Sequence, residues 1–278
     1  MLAHLRKRNS CVICGNGQSI ICDEVLSGHN DIILINSGIF LDIEPAIYFY
    51  ERFGLISGET THSFGIENYL EKNFDFEAIL RVISYEMGRT ASEVLDVQKI
   101  FINPNPSKLG YMNPLLGQPR SIPLNYYSFN EDNVGLYGYH LLQYFRYLRI
   151  NRILNFRGSI IRAYSAALMI GYDDIYFAGI DPSEYKWWWE EEVAWRFMRN
   201  SVKHLLDHFK SVSILRPPHL VKYDNEVGVW SSAPMSWCLR KTILASRVVF
   251  HENKIPFPKI HLIGSDPIAL SIFKNINK

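Results

Sequence analysis

Several things are scarce in this chain, and each scarcity excludes a class of protein. Its 278 residues include four cysteines, too few for the disulfide framework of a secreted scaffold this long. No window approaches the roughly 18 consecutive apolar residues that span a bilayer. The opening MLAHLRKRNS has no apolar segment long enough for a signal peptide. A cytoplasmic protein without a transmembrane segment is expected, with peripheral contact at an inner membrane left open. Charge of one sign is also missing: 29 Lys and Arg face 28 Asp and Glu, a net charge of +1. No bulk field then draws in nucleic acid, which is not expected as a partner. Internal repeats and low-complexity tracts are absent. So is an HExxH metal motif.

What is present in quantity is aromatic, with 16 Tyr, 16 Phe and 6 Trp. Such residues fill cores and also make stacking surfaces for sugars and nucleobases. The length suits one α/β domain over residues 1–278. Cys11 and Cys14 spell CxxC with Cys22 nearby. SCVIC reads as a strand, however, and residues three apart on a strand face opposite ways, so the thiols diverge and are expected to be buried and structural.

The chain alternates apolar strands with helical patterns. Strands are expected at 10–14, 31–36, 46–50, 99–102, 175–178, 212–215 and 259–263. Helices are expected at 76–87, closed by Gly88, at 138–148 as a buried helix, at 193–209 and at 267–276. The prolines at 104, 106, 114, 119 and 123 predict a long surface loop over 103–133. The clearest unit is GSIIRAYSAALMIGYDDIYFAGID, Gly158 to Asp181. A small-residue helix with Gly171 as its left-handed cap leads through a turn at Asp173-Asp174 to an apolar strand and Gly-Ile-Asp. That order puts an acidic strand end on the carboxyl edge of a parallel sheet, where open α/β folds bind ligands.

The first strand runs into Gly15-Asn16-Gly17-Gln18-Ser19, whose glycines would let backbone N–H groups approach a phosphate or sugar. A dinucleotide fingerprint needs a third glycine where Ile20 stands, and the Lys-Ser/Thr pair of a P-loop is missing. Asn36, Glu51, Ser159 and Asp181 fall at other predicted strand ends or helix starts and outline the same rim.

These pieces together resemble glycosyltransferase family 42, the bacterial sialyltransferases that use CMP-sialic acid. The family's Gly-Asn-Gly-Pro-Ser type loop is similar to Gly15 to Ser19, with Gln18 in place of proline. Its asparagine after the second strand is matched by Asn36. Its Arg, Ser-Gly turn, small-residue helix ending Gly-Tyr and Gly-Ile-Asp strand resemble Arg157-Gly158-Ser159 through Gly171-Tyr172 to Asp181. Tyr185 is similar in placement to a tyrosine that contacts the donor phosphate. Two positions depart: Glu51 stands where the family often has asparagine, and residues 182–203 hold no histidine where the family has its catalytic base.

The resemblance implies a Rossmann-like parallel twisted sheet with helices on both faces, a GT-A-like variant with a lid segment. It implies an inverting, metal-independent transfer of sialic acid or a related nonulosonic acid from a CMP donor to an acceptor glycan, in the building of bacterial surface glycans. No cofactor and no metal are expected, and the partners are a nucleotide-sugar donor and a glycan acceptor, with homo-oligomerisation left open. Gly15, Asn16, Gly17, Ser19, Asn36, Glu51, Ser159 and Asp181 would bind the donor, and Arg157 and Tyr185 would meet its phosphate. The base would be His219, just after a strand, or His204, which shares a helical face with His208. That pair also reads as an ordinary solvated face beside Lys203 and Asp207. Residues 182–195 read as a lid in which Trp187-Trp188-Trp189 stack on sugar or base, or else as a subunit interface. A Rossmann-like enzyme of nucleotide or pterin phosphotransfer and a non-catalytic nucleotide-sugar binder are the alternative functions.

Overall fold

The computed structural model describes residues 3–50, 74–95, 100–102, 125–127, 137–146, 152–154, 159–181, 188–190, 192–207, 235–274 and 276. Six strands form one all-parallel sheet: β1 (Ser10–Cys14), β2 (Asp31–Ile35), β3 (Ile47–Tyr50), β4 (Ile100–Ile102), β7 (Asp174–Ala178) and β8 (Lys259–Leu262), in the order β4-β3-β2-β1-β7-β8. Two further short strands, β5 (Asn125–Tyr127) and β6 (Arg152–Leu154), pair with each other in parallel. This is an α/β fold.

The sheet separates two cores. Cys11 and Ile13 of β1 face a layer built on the helices Tyr137–Arg146, Ser159–Ile170 and Met235–Glu252, while Val12 and Cys14 face the helix Phe74–Val94 and the turns around Phe40 and Trp188. The two cysteines of the CxxC therefore lie on opposite faces, both buried, as strand alternation requires. β1 and β2 are almost wholly apolar because both their faces are covered. The one charged side chain buried among them, Asp31 at the start of β2, is 4% exposed. It accepts from Lys7 N (2.7 Å), Arg8 N (3.1 Å) and the Tyr172 hydroxyl (2.9 Å), which offsets the cost of burying it.

The helix Ser159–Ile170 buries ten of its twelve residues, among them Ala163, Ala166 and Ala167, and these small side chains let it lie close on the sheet. Gly171 ends it at φ +87°, donating to Ala167 O at 3.1 Å. Arg6 then holds that end at the amino edge of the sheet through Gly171 O, Asn9 and Asp173. The helix runs antiparallel to the strands, and its length of about 18 Å carries Ser159 back toward their carboxyl edge.

Several elements differ from expectation. The helix at 74–94 passes through Gly88, because Ile83, Met87, Ala91 and Leu95 keep one buried stripe running on either side of it, and that burial outweighs the roughly 1 kcal/mol a helical glycine costs. Asp174 opens β7 instead of closing a turn. The helix at 137–146 is buried on one side only: Leu141, Tyr144 and Phe145 are inside, whereas Tyr139 and Arg146 are exposed. Residues 125–127, starting two positions after the last proline of the 103–133 loop, form β5; the remainder of that loop and the strand expected at 212–215 lie outside the described residues. In place of an α-helix over 193–209, the chain makes 3-10 helices at Glu192–Phe197 and Asn200–Leu205. Met235–Glu252 and β6 were not anticipated. No helix among the described residues is long and apolar enough to cross a membrane.

Candidate functional site

The strand order reverses beside β1. From there β2, β3 and β4 step outward in one direction and β7 and β8 in the other, so the carboxyl ends of β1 and β7 mark the switch point at which open parallel sheets hold ligands. Gly15 to Ser19 follow β1, and Gly179 to Asp181 follow β7.

Direct bonds join these two segments. Gly15 N donates to Ala178 O at 2.8 Å and Gly17 N to Gly179 O at 2.9 Å. A Cβ on Gly15 would stand 2.3 Å from Gly179 O, and one on Gly17 2.4 Å from an Asp181 carboxylate oxygen. Gly179 has φ +67°, and its own Cβ would stand 2.9 Å from Gly15 O. Ser19 completes the junction: its N–H donates to Asp181 Oδ2 and its hydroxyl to Asp181 Oδ1, both at 2.8 Å, while the hydroxyl accepts from Gly179 N at 2.9 Å. Gly264, just beyond β8, comes close enough that a Cβ there would be 3.1 Å from the Ser19 side chain.

The N–H groups of Gly15, Gly17 and Ser19 are thus committed to acceptors of the protein itself. The loop was expected to let backbone donors approach a phosphate or sugar; at Gly15 and Gly17 the glycines instead let two strand ends touch, and the Ser19 N–H is taken by Asp181.

The end of β2 adjoins the same loop. Asn36 takes a left-handed conformation, φ 48°, which asparagine tolerates better than most residues, and begins a 3-10 turn over Asn36–Phe40. Its carbonyl accepts from the Tyr48 hydroxyl at 2.9 Å. Burial pushes that hydroxyl well above its ordinary pKa, with Tyr50 adding to the shift, so it stays protonated as a donor. Ser37, fully buried, donates from its hydroxyl to Asn16 Oδ1 at 3.0 Å.

Trp188 packs beneath. It is 0% exposed, its backbone N–H donates to Asn16 O at 2.9 Å, and its indole Nε1–H reaches Ser37 Oγ at 3.4 Å. Trp189 is buried beside it, edge-on at 5.6 Å between ring centres. Both indoles belong to the core under the rim; neither offers a free face to a sugar or to a second subunit, which corrects both readings of the Trp188-Trp189 pair.

Of the residues expected to act together, Gly15, Asn16, Gly17, Ser19, Asn36 and Asp181 are neighbours here, and Ser159 is buried at the start of its helix. His204 is exposed on the 3-10 helix Asn200–Leu205, with Lys203 also exposed, and bonds to none of these residues. That segment is held to the 39–43 stretch by Arg199, which donates to Ile39 O, Ile43 O and Asp42. Glu51, Arg157, Tyr185 and His219 lie outside the described residues. Among the described residues no three His, Cys, Asp or Glu side chains come together in a way that could hold a metal ion.

Ser37, Tyr48 and Gly179 were not anticipated as site residues. Ser37 had a local signal, a second polar residue directly after an apolar strand; Tyr48 and Gly179 act through contacts that only the strand order creates. No family model, no curated protein and no solved structure matches this chain.

Proposed function

We propose that the chain is an inverting glycosyltransferase that moves sialic acid or a related nonulosonic acid from its CMP ester to an acceptor glycan, on a Rossmann-like sheet and without a metal. One observation carries this reading. Three segments far apart in the chain, Gly15 to Ser19, Asn36-Ser37 and Gly179 to Asp181, which hold residues singled out by their likeness to one family's donor site, come together at the carboxyl edge of β1, β2 and β7 through the Ser19–Asp181 and Ser37–Asn16 bonds.

In the reaction an acceptor hydroxyl attacks the anomeric carbon as the bond to the CMP phosphate oxygen breaks. A base takes the hydroxyl proton, and CMP leaves with the bonding pair. With Ser19 already holding Asp181, the donor's charged phosphate is assigned away from the loop, to Arg157 and Tyr185, and its neutral cytidine and ribose to Asn16, Asn36 and Ser159. The base is assigned to His219 or His204, imidazole being the side chain most often used as a general base.

CMP release from CMP-sialic acid, measured with a panel of galactosides and with EDTA present, tests the proposal. Acceptor-dependent release is expected. CMP binding without release would mark a non-catalytic binder. Turnover that requires ATP and Mg²⁺ would favour phosphotransfer and overturn the proposal, as would failure to bind CMP.

A further inference from the structure

The hydrogen bonds around Asn16 have a direction, set by the amide oxygen Oδ1, an acceptor only, being the atom that faces Ser37. An indole Nε1–H only donates. Where Trp188 Nε1 meets Ser37 Oγ, at 3.4 Å, the serine oxygen must therefore accept. The single hydroxyl proton of Ser37 is then free to be donated onward, and it goes to Asn16 Oδ1 at 3.0 Å. Oδ1 being the acceptor in that bond, the other branch of the amide is Nδ2, with two N–H donors and no partner among the described residues. Asn16 is held at a second point by the same tryptophan, whose backbone N–H donates to Asn16 O at 2.9 Å. Ser37 and Trp188 are both 0% exposed, so water does not compete for these bonds, whereas Asn16 itself is partly open at the rim.

We infer that Ser37 and Trp188 are positioning residues that lock the Asn16 amide with its NH2 outward, making this point of the rim a fixed hydrogen-bond donor. The group it recognises is then an acceptor oxygen, such as the carbonyl of a pyrimidine, and not an amine. The lock explains why a tryptophan in a run that looks like a stacking surface is buried instead: its indole N–H is the first donor of the relay and its ring seals the relay from solvent. The inference that this donor faces a nucleotide rests on the proposed function; the lock itself does not.

Two measurements on the whole chain separate these claims. The first needs no ligand. The side-chain NH2 signals of Asn16 in ¹⁵N-asparagine-labelled protein, identified by their loss in Asn16→Ala, should show a heteronuclear NOE as high as the backbone. Ser37→Ala and Trp188→Phe should lower it, and Ser37→Thr should keep it. An Asn16 side chain as mobile in the wild type as in Ser37→Ala would overturn the lock, and because Ser37→Ala removes only a hydroxyl, this holds even if Trp188→Phe fails to fold. The second is a CMP titration. Ser37→Ala should weaken binding about three- to tenfold, the loss expected for one freed hydrogen bond, Ser37→Thr should restore it, and Asn16→Asp, which presents an acceptor in place of the donor, should weaken it further still. Equal affinity in wild type and Asn16→Asp would refute the donor role. A locked amide in a wild type that does not bind CMP would uphold the lock and reject the nucleotide.

Discussion

Replacing Gly15 with alanine separates two reasons for a glycine in this loop. The new Cβ would be 2.3 Å from Gly179 O, about an ångström inside ordinary contact, and the obstacle is a backbone carbonyl anchored in the β1–β7 pairing, not a side chain that can swing away. Relief requires the two strand ends to separate, which strains or breaks the bonds from Gly15 N to Ala178 O and from Gly17 N to Gly179 O. Overpacking of this kind costs about 1–3 kcal/mol and each backbone bond lost about 1 kcal/mol, so a loss of about 3 kcal/mol is expected. In urea unfolding followed by far-ultraviolet circular dichroism, with a slope of about 3 kcal/mol per M, the midpoint should fall by about 1 M. Gly138→Ala is the matched control: among the described residues nothing lies within 4 Å of its Cβ position and it sits in a helix, where alanine is favoured by up to about 1 kcal/mol. Its midpoint should hold or rise. Were Gly15 a glycine for the sake of a ligand, Gly15→Ala would unfold within about 0.5 kcal/mol of the wild type and lose only affinity, and that result would refute the reasoning.

Other perturbations read other parts of the structure. Arg199→Met removes the donors to Ile39 O, Ile43 O and Asp42 and should cost about 2–3 kcal/mol by the same unfolding assay, with Arg199→Lys recovering only part. Tyr164→Phe deletes the buried bond to Ser246, 2.7 Å long, and should cost about 1 kcal/mol, since Ser246 keeps its own bond to Ile243 O. Burial raises the Cys22 thiol to about 11, so native protein should react slowly with iodoacetamide near neutral pH and about tenfold faster per pH unit up to that value; prompt alkylation at pH 7 would contradict it. Because the unfolded thiol ionises near its ordinary value and the folded one does not, this group also makes stability fall as pH rises from about 9 to 11.

How far the residues themselves announced this structure depends on the range of the forces involved. Strands β1, β2, β3, β7 and β8 were legible because each is an apolar run bounded by polar or glycine residues, and the cap at Gly171 is local chemistry. The helix through Gly88 and the 3-10 segments after Trp188 were not, since both are decided by what they pack against. Legibility of the site divides the same way. Asn36, Ser19 and Asp181 advertise themselves at strand ends. That Gly15 and Gly17 serve the junction with β7, and that Trp188 faces inward toward Ser37, depends on contacts between segments more than 150 residues apart, for which no local pattern exists.

The central place of β1 has a consequence for how the protein comes into being. Its neighbours on one side, β2 to β4, are complete by residue 102, but β7 begins at Asp174, and the Ser19–Asp181 junction closes a span of 162 residues. A nascent chain emerging amino end first leaves one edge of β1 without its partner strand until β7 has been made, an opportunity for wrong pairing that long-range parallel sheets share. The rim at β1 and β7 can therefore close only once β7 has been made, and any ligand that bound the closed rim better than the open one would favour that last docking of β7 onto β1.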